Sequence, residues 1–145
     1  MDGLLRFAVD NFPCLDEGQH EAWLRRAIDR GCALVAREPG SASLAGAAAF
    51  TRERGCIDFL AVHPQHRRAS GVARALVDAV RAEAPGRDLT ITTYRAGDRA
   101  DTGHRRRLEE IGFEGGQVRR FGYPVQRFVA SRRRTLGRGS RRNDI

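Results

Sequence analysis

Residues 56–80, CIDFLAVHPQHRRASGVARALVDAV, change their apolar period part-way along, and that change restricts the fold more than any other feature of the chain. Ile57, Phe59, Leu60, Ala61 and Val62 form a short apolar run with aromatic and β-branched content, which suits a buried strand. His63-Pro64 ends it, because proline donates nothing to a ladder and pushes the residue before it out of the helical region. From Gly71 the spacing becomes helical, with Val72, Ala73, Leu76, Val77 and Val80 on one face. Ser70 suits the N-cap, and Pro85-Gly86 stops the helix.

A strand, a loop carrying Arg67 and Arg68, and a helix make a particular chemical environment. The first turn of a helix leaves amide N–H groups without partners, and the helix dipole adds positive potential there. Gly71 allows a ligand close to the backbone. The segment therefore predicts a site for a phosphate or pyrophosphate. The dipole contributes only about 0.3–1 kcal/mol. Charge-assisted hydrogen bonds, at about 1.5–3 kcal/mol each, carry most of such binding.

Arg68-Ala69-Ser70-Gly71-Val72-Ala73 fits the pattern Gln/Arg-x-x-Gly-x-Gly/Ala, and LAVHPQHRR, residues 60–68, leads into it. In both respects the chain resembles the GNAT superfamily of N-acetyltransferases, in which this segment is the acetyl-coenzyme A signature. LEEIGF, residues 108–113, resembles the family's helix end, and FGYPVQRFV, residues 121–129, its closing strands.

The rest of the chain is consistent with that order. Residues 3–11 are expected to form a first helix, ended by Pro13. Asp16-Glu17 open a second, with Trp23, Leu24, Ala27 and Ile28 facing in and Gly31 closing it. Strands are expected over 32–37 and 44–52, the latter turning at Arg54-Gly55 into the central strand, residues 56–63. After the central helix come a strand at 89–94, a polar loop at 95–103 and a helix over 103–111 with Leu108 and Ile111 inward. Residues 113–116, 118–123 and 126–130 supply the final strands. The expected fold is α/β (α+β), a GNAT-like mixed sheet of about six strands with about four helices. The family's first strand is expected to be missing, since Met1 leaves almost no room for it, or to lie upstream.

Composition sets outer limits. The 145 residues suit one domain, here residues 1–130. Apolar and charged fractions of 41% and 30% are those of a soluble globular protein, and no apolar run approaches a membrane span. No secretory signal is evident at the N-terminus. Cys14, Cys32 and Cys56 are isolated and lack metal-site spacing, so reduced thiols in a cytoplasmic protein are expected and no metal. Net charge is +8, and residues 131–145, with six arginines against Asp144, carry +5 of it. That arginine-, glycine- and serine-rich tail has almost nothing to bury and is expected to be disordered.

The resemblance implies transfer of an acetyl group from acetyl-coenzyme A, as co-substrate, to an amine. Making an alkyl ammonium a neutral nucleophile at pH 7 costs about 4.6 kcal/mol, so a base is useful. By resemblance, the backbone of Leu60, Ala61 and Val62 pairs with the pantetheine arm. Arg67, Arg68, Ala69, Ser70, Gly71, Val72 and Ala73 hold the pyrophosphate, with Arg74 near by. Asp101 sits where many family members carry a cofactor-contacting asparagine. Asp58, two residues before Leu60 and expected on the same strand face, is the candidate base, with Glu53 the alternative. The family's usual acid is a tyrosine at the position of Leu108, which cannot donate a proton. Tyr94, Tyr123 or water is left for that role, and His63 and His104 suit the surface.

Three functions compete. One is an acetyltransferase for a small-molecule or protein amine. The second, suggested by Leu108, is a catalytically silent acyl-coenzyme A binder. The third, a nucleic-acid binder, draws support from the basic tail alone. A homodimer stays open, and no membrane partner is expected.

Overall fold

The computed structural model describes residues 17–67, 71–94, 104–120 and 123–131. The expected helix over 3–11 and the arginine-rich tail from Arg132 lie outside them. Within the described residues the order is α1 (Glu17–Asp29), β1 (Ala33–Arg37), β2 (Leu44–Thr51), β3 (Cys56–Val62), α2 (Gly71–Glu83), β4 (Leu89–Tyr94), α3 (His104–Glu110), β5 (Glu114–Arg120) and β6 (Tyr123–Ala130). A 3-10 turn, Pro64–His66, follows β3.

The six strands form one mixed sheet in the order β1-β2-β3-β4-β6-β5. All neighbours are antiparallel except β3 and β4, which α2 connects as a parallel pair. That is the arrangement the change of period in residues 56–80 demands, because parallel neighbours need a crossover. The helices cover the two faces. Leu76, Val77 and Val80 of α2 pack with Ala48, Phe50, Ile57, Leu60, Ile91 and Phe128, and Leu108 of α3 joins this larger cluster. Leu24 and Ala27 of α1 pack on the other face against Ala47, Ala49, Phe59 and Ala61, with Trp23 alongside. β2 is almost wholly buried, and half of its eight residues are alanine with a glycine among them, so both layers approach it closely.

Two glycines fix the relative heights of these layers. Gly55 has φ 62°, and a Cβ there would stand 2.5 Å from the Asp88 carbonyl oxygen. Its own carbonyl accepts from the Thr90 amide at 2.9 Å, which ties the β2–β3 turn to the start of β4. A Cβ on Gly46 would stand 2.8 Å from Val72 Cγ1 and 2.9 Å from the Ala61 carbonyl oxygen, so the first turn of α2 rests on bare backbone.

Three expectations need correction. The segments 113–116 and 118–123 are one strand, β5, rather than two. The Gly115-Gly116 pair does not break it: a Cβ on Gly115 would stand 2.7 Å from Gln126 Nε2 and 2.8 Å from Phe128 Cε1, so the glycine admits its β6 neighbours. Ile28 is 42% exposed, one position past the buried stripe of α1. The third concerns Asp58 and belongs to the site.

Candidate active site

β3 and β4 pair only at Cys56↔Thr90 and Ile57↔Ile91, although both strands continue. Beyond Ile57 the sheet opens between them. Which backbone groups face the opening follows from the other side of β3. The His63 amide donates to the Ala45 carbonyl at 2.7 Å, which sets the phase of the β2–β3 ladder. Residues 61 and 59 therefore exchange hydrogen bonds with Ala47 and Ala49, and residues 60 and 62 turn theirs toward β4. Of the three backbone positions expected to meet a pantetheine arm, Leu60 and Val62 face the gap, and Ala61 is turned to β2.

The loop after β3 is held at both ends. His63 Nδ1 accepts from the Gln65 amide at 3.2 Å. His66 Nε2 lies 2.6 Å from Glu38 Oε1, a bridge to the end of β1. Arg67 folds back and donates from Nε to the Val62 carbonyl at 2.9 Å. Burial pushes the Arg67 guanidinium below its ordinary pKa, and the charge of Arg107 on α3 adds to that. Arg67 at the end of β3 thus feels a second positive charge, an effect that an anion would relieve. Arg68, Ala69 and Ser70 lie outside the described residues. Gly71 opens α2, and a Cβ there would meet nothing within 4 Å. Ala73 is buried, Val72 partly so, and Arg74 is exposed.

Asp58 stands at the other end of the opening, one residue past the last β3–β4 pair. The expectation that it shares a face with Leu60 is overturned by a bulge. The β2–β3 register runs from Ala49↔Phe59 to Phe50↔Ile57, so Asp58 is the extra residue with no partner opposite. A bulge breaks the two-residue alternation. Leu60 packs on the α2 side, whereas Asp58 lines a cleft with Trp23, Arg26 and Ala27 of α1 and Arg30 just after it. This cleft holds about 400 Å³ and also takes in Thr51, Arg52 and Glu53. Thr51 donates its hydroxyl to Asp58 Oδ2 at 2.7 Å, and the Cys56 thiol lies 3.3 Å from Oδ1. Burial raises the Cys56 thiol, and the charge and hydrogen bond of Asp58 raise it further, so it is a neutral donor and a poor nucleophile.

Glu53, the alternative base, lines the same cleft but is exposed. Leu108 is fully buried, so its side chain serves the core. Tyr94 ends β4 and Tyr123 begins β6, and β4 and β6 are neighbours in the sheet. The side chains of these two tyrosines and of His104, together with Asp101, lie outside the described residues. Among the described residues no group of His, Cys, Asp or Glu could hold a metal ion, and no helix is long and apolar enough to cross a membrane.

Sequence reasoning missed Thr51, Arg107 and the α1 arginines. Thr51 and Asp58 are seven residues apart on a hairpin, a spacing that a regular strand pair would bring together on one face. Arg107 lies one residue before Leu108 and carries no local signal.

The chain matches the acetyltransferase (GNAT) family over residues 2–113. No curated protein matches it significantly. Among solved structures, one assigned to the GNAT family from Desulfovibrio desulfuricans is 23% identical, covering 88% of this chain and 89% of that one, with a TM-score of 0.62. Another, from Bordetella pertussis, is 20% identical over 90% of this chain and 88% of that one, with a TM-score of 0.60. A third, from Streptococcus agalactiae, is 17% identical over 82% and 73%, with a TM-score of 0.58. At these identities the likeness concerns the fold alone. With the family match extending from near the N-terminus to the end of α3, and this sheet beneath it, the chain belongs to the GNAT family of acetyltransferases.

Proposed function

We propose that the protein transfers the acetyl group of acetyl-coenzyme A to a primary amine. The observation that carries this reading is the opening between β3 and β4 beyond Ile57↔Ile91, which leads to a cationic loop and a bare helix start at Gly71. Leu60 and Val62 turn amide and carbonyl groups into that opening, as an amide-bearing arm needs. The residues suit the co-substrate. Arg67, Arg68, Ala69, Ser70, Gly71, Val72 and Ala73 are the proposed pyrophosphate cradle, with Arg74 beside it and Asp101 a further contact. For the arm to bond Val62 fully, Arg67 would release that carbonyl and turn to the anion.

Asp58 is the proposed base. Its two oxygens are held by Thr51 and Cys56 at the closed end of the opening, which fixes the carboxylate in the cleft. An amine proton would leave to Asp58, directly or through water. The departing thiolate needs an acid less, since a thiol pKa is near about 8.5. Tyr94, Tyr123 or water is the proposed donor. Residues 1–130 act as the catalytic domain in this reading, and 131–145 as a basic tail. A cytoplasmic setting fits the free thiols of Cys32 and Cys56. The test is thiol release from acetyl-coenzyme A against a panel of amines, with cofactor affinity measured by calorimetry.

Leu108 favours a second reading. It is fully buried where the family's tyrosine would stand, so an acyl-coenzyme A binder without turnover remains the alternative. Tight acetyl-coenzyme A binding with no thiol release for any amine would select it.

A further inference from the structure

The cleft on the α1 side of the sheet has a feature that acyl transfer does not itself require. Three of its side chains are arginines, Arg26 from α1, Arg30 just past its end and Arg52 from the β2–β3 turn. Arg52 is engaged: its Nη2 lies 3.0 Å from Glu83 Oε2 and donates to the Gly31 carbonyl at 3.2 Å. Arg26 and Arg30 have no side-chain hydrogen bond or ion pair among the described residues. Arg25, outside the cleft lining, is by contrast matched to Glu21 at 2.6 Å. Four residues apart, with the Arg30 amide bonded to the Arg26 carbonyl at 3.2 Å in the turn that ends α1, the two arginines line the same cleft, where like charges repel. The cleft thus presents two guanidinium groups unmatched among the described residues and, on the strand side, the Asp58 carboxylate.

We infer that this cleft selects acceptors that carry both a primary amine and an oxyanion, a carboxylate or a phosphate, as amino-acid-like small molecules do. The inference rests on the acetyl-transfer reading above and names its acceptor class. The ammonium end is drawn to Asp58, and the oxyanion is taken by Arg26 and Arg30, whose planar forks suit carboxylate and phosphate. Trp23 and Phe50 give the linking carbons an apolar wall. A volume of about 400 Å³ is within the range of small-molecule sites. In the transfer, the amine nitrogen bonds to the acetyl carbon as the carbon–sulfur bond breaks. The amine proton leaves to Asp58 or solvent, and the thiolate takes up a proton, giving an amide and free coenzyme A.

The experiment compares butylamine, 4-aminobutyrate and 3-aminopropylphosphonate as acceptors, reading thiol release, and titrates the acetyl-coenzyme A-loaded protein with each amine by calorimetry. The anionic amines are expected to exceed butylamine in kcat/KM by roughly tenfold to a hundredfold, as charge-assisted hydrogen bonds allow. The pair R26A/R30A is expected to collapse that preference through KM, and R26K/R30K to keep part of it. Preference for carboxylate or for phosphonate separates the two oxyanions. Equal or better use of butylamine, or an anion preference that survives R26A/R30A, overturns the inference. If no amine turns over, the acetyl-transfer reading fails, and calorimetry still decides: arginine-dependent binding of the anionic amines sustains the cleft's selectivity, and its absence ends it.

Discussion

Thr51 and Asp58, on the two arms of the β2–β3 hairpin, share a hydrogen bond of 2.7 Å in which the hydroxyl donates to the carboxylate. The bulge at Asp58 puts the carboxylate into the α1-side cleft beside Thr51. Without it, Asp58 and Leu60 would share one face, and the carboxylate could not stand in the cleft while Leu60 packs under α2. The register irregularity thus supplies the cleft with its half-buried acid.

Asp58→Asn keeps the shape and removes the base. The expected outcome is a fall in kcat of about a hundredfold to ten-thousandfold, the usual range for a positioned base. Acetyl-coenzyme A affinity, measured by calorimetry, should be retained. Thr51→Val should cost less, since it frees one oxygen without removing the carboxylate. An unchanged kcat for Asp58→Asn would rule out this residue as base.

Cys56 offers a pH-dependent readout. Burial, then the Asp58 charge and hydrogen bond, push its thiol above the ordinary value. Alkylation needs the thiolate, so Cys56 should react slowly with iodoacetamide near neutral pH and faster as pH rises. Asp58→Asn should speed it several-fold, read by mass spectrometry at this residue. Between the two pKa values the folded thiol holds its proton where the unfolded one has lost it. The contribution is whole below the unfolded thiol's pKa and is lost as pH rises through the folded value.

Gly71 separates binding from folding. Since a Cβ there meets nothing within 4 Å, Gly71→Glu should leave the melting temperature nearly unchanged. The added carboxylate stands at the proposed pyrophosphate site, so acetyl-coenzyme A affinity should fall by more than about tenfold, the worth of one charge-assisted hydrogen bond. Wild-type affinity would remove the anion site from this corner.

Gly46 and Gly55 should behave in the opposite way. Gly46→Val drives atoms into Val72 and the Ala61 carbonyl, and Gly55→Ala adds a Cβ at φ 62° against the Asp88 carbonyl. Each should destabilise by about 1–3 kcal/mol, measured by urea unfolding. No loss at either position would contradict the close layer packing.

Much of this fold was legible because its signals are local. The period change at Pro64 and the LTITTY run mark a strand, a crossover helix and a strand, and the structure has β3, α2 and β4 there. For the proposed site, the sequence offers a motif only at Gly71 and the loop before it. What stayed hidden depends on register and distance. The face of Asp58 depends on how β3 slips past β2, and the gap depends on where β3 and β4 stop pairing. Arg67 and Arg107 are forty residues apart in the chain, and nothing in either segment announces the other. That 113–116 and 118–123 run on as β5 depends on Gly115 making room for Phe128 of β6, a contact between strands that no local pattern shows.

Residue-resolved amide hydrogen exchange with saturating acetyl-coenzyme A tests the central claim most directly. New protection is expected at Leu60 and Val62, whose backbone faces the gap, with little change at Ala61, already bonded to Ala47. Binding without added protection at Leu60 and Val62 would contradict it and send the co-substrate elsewhere on the molecule.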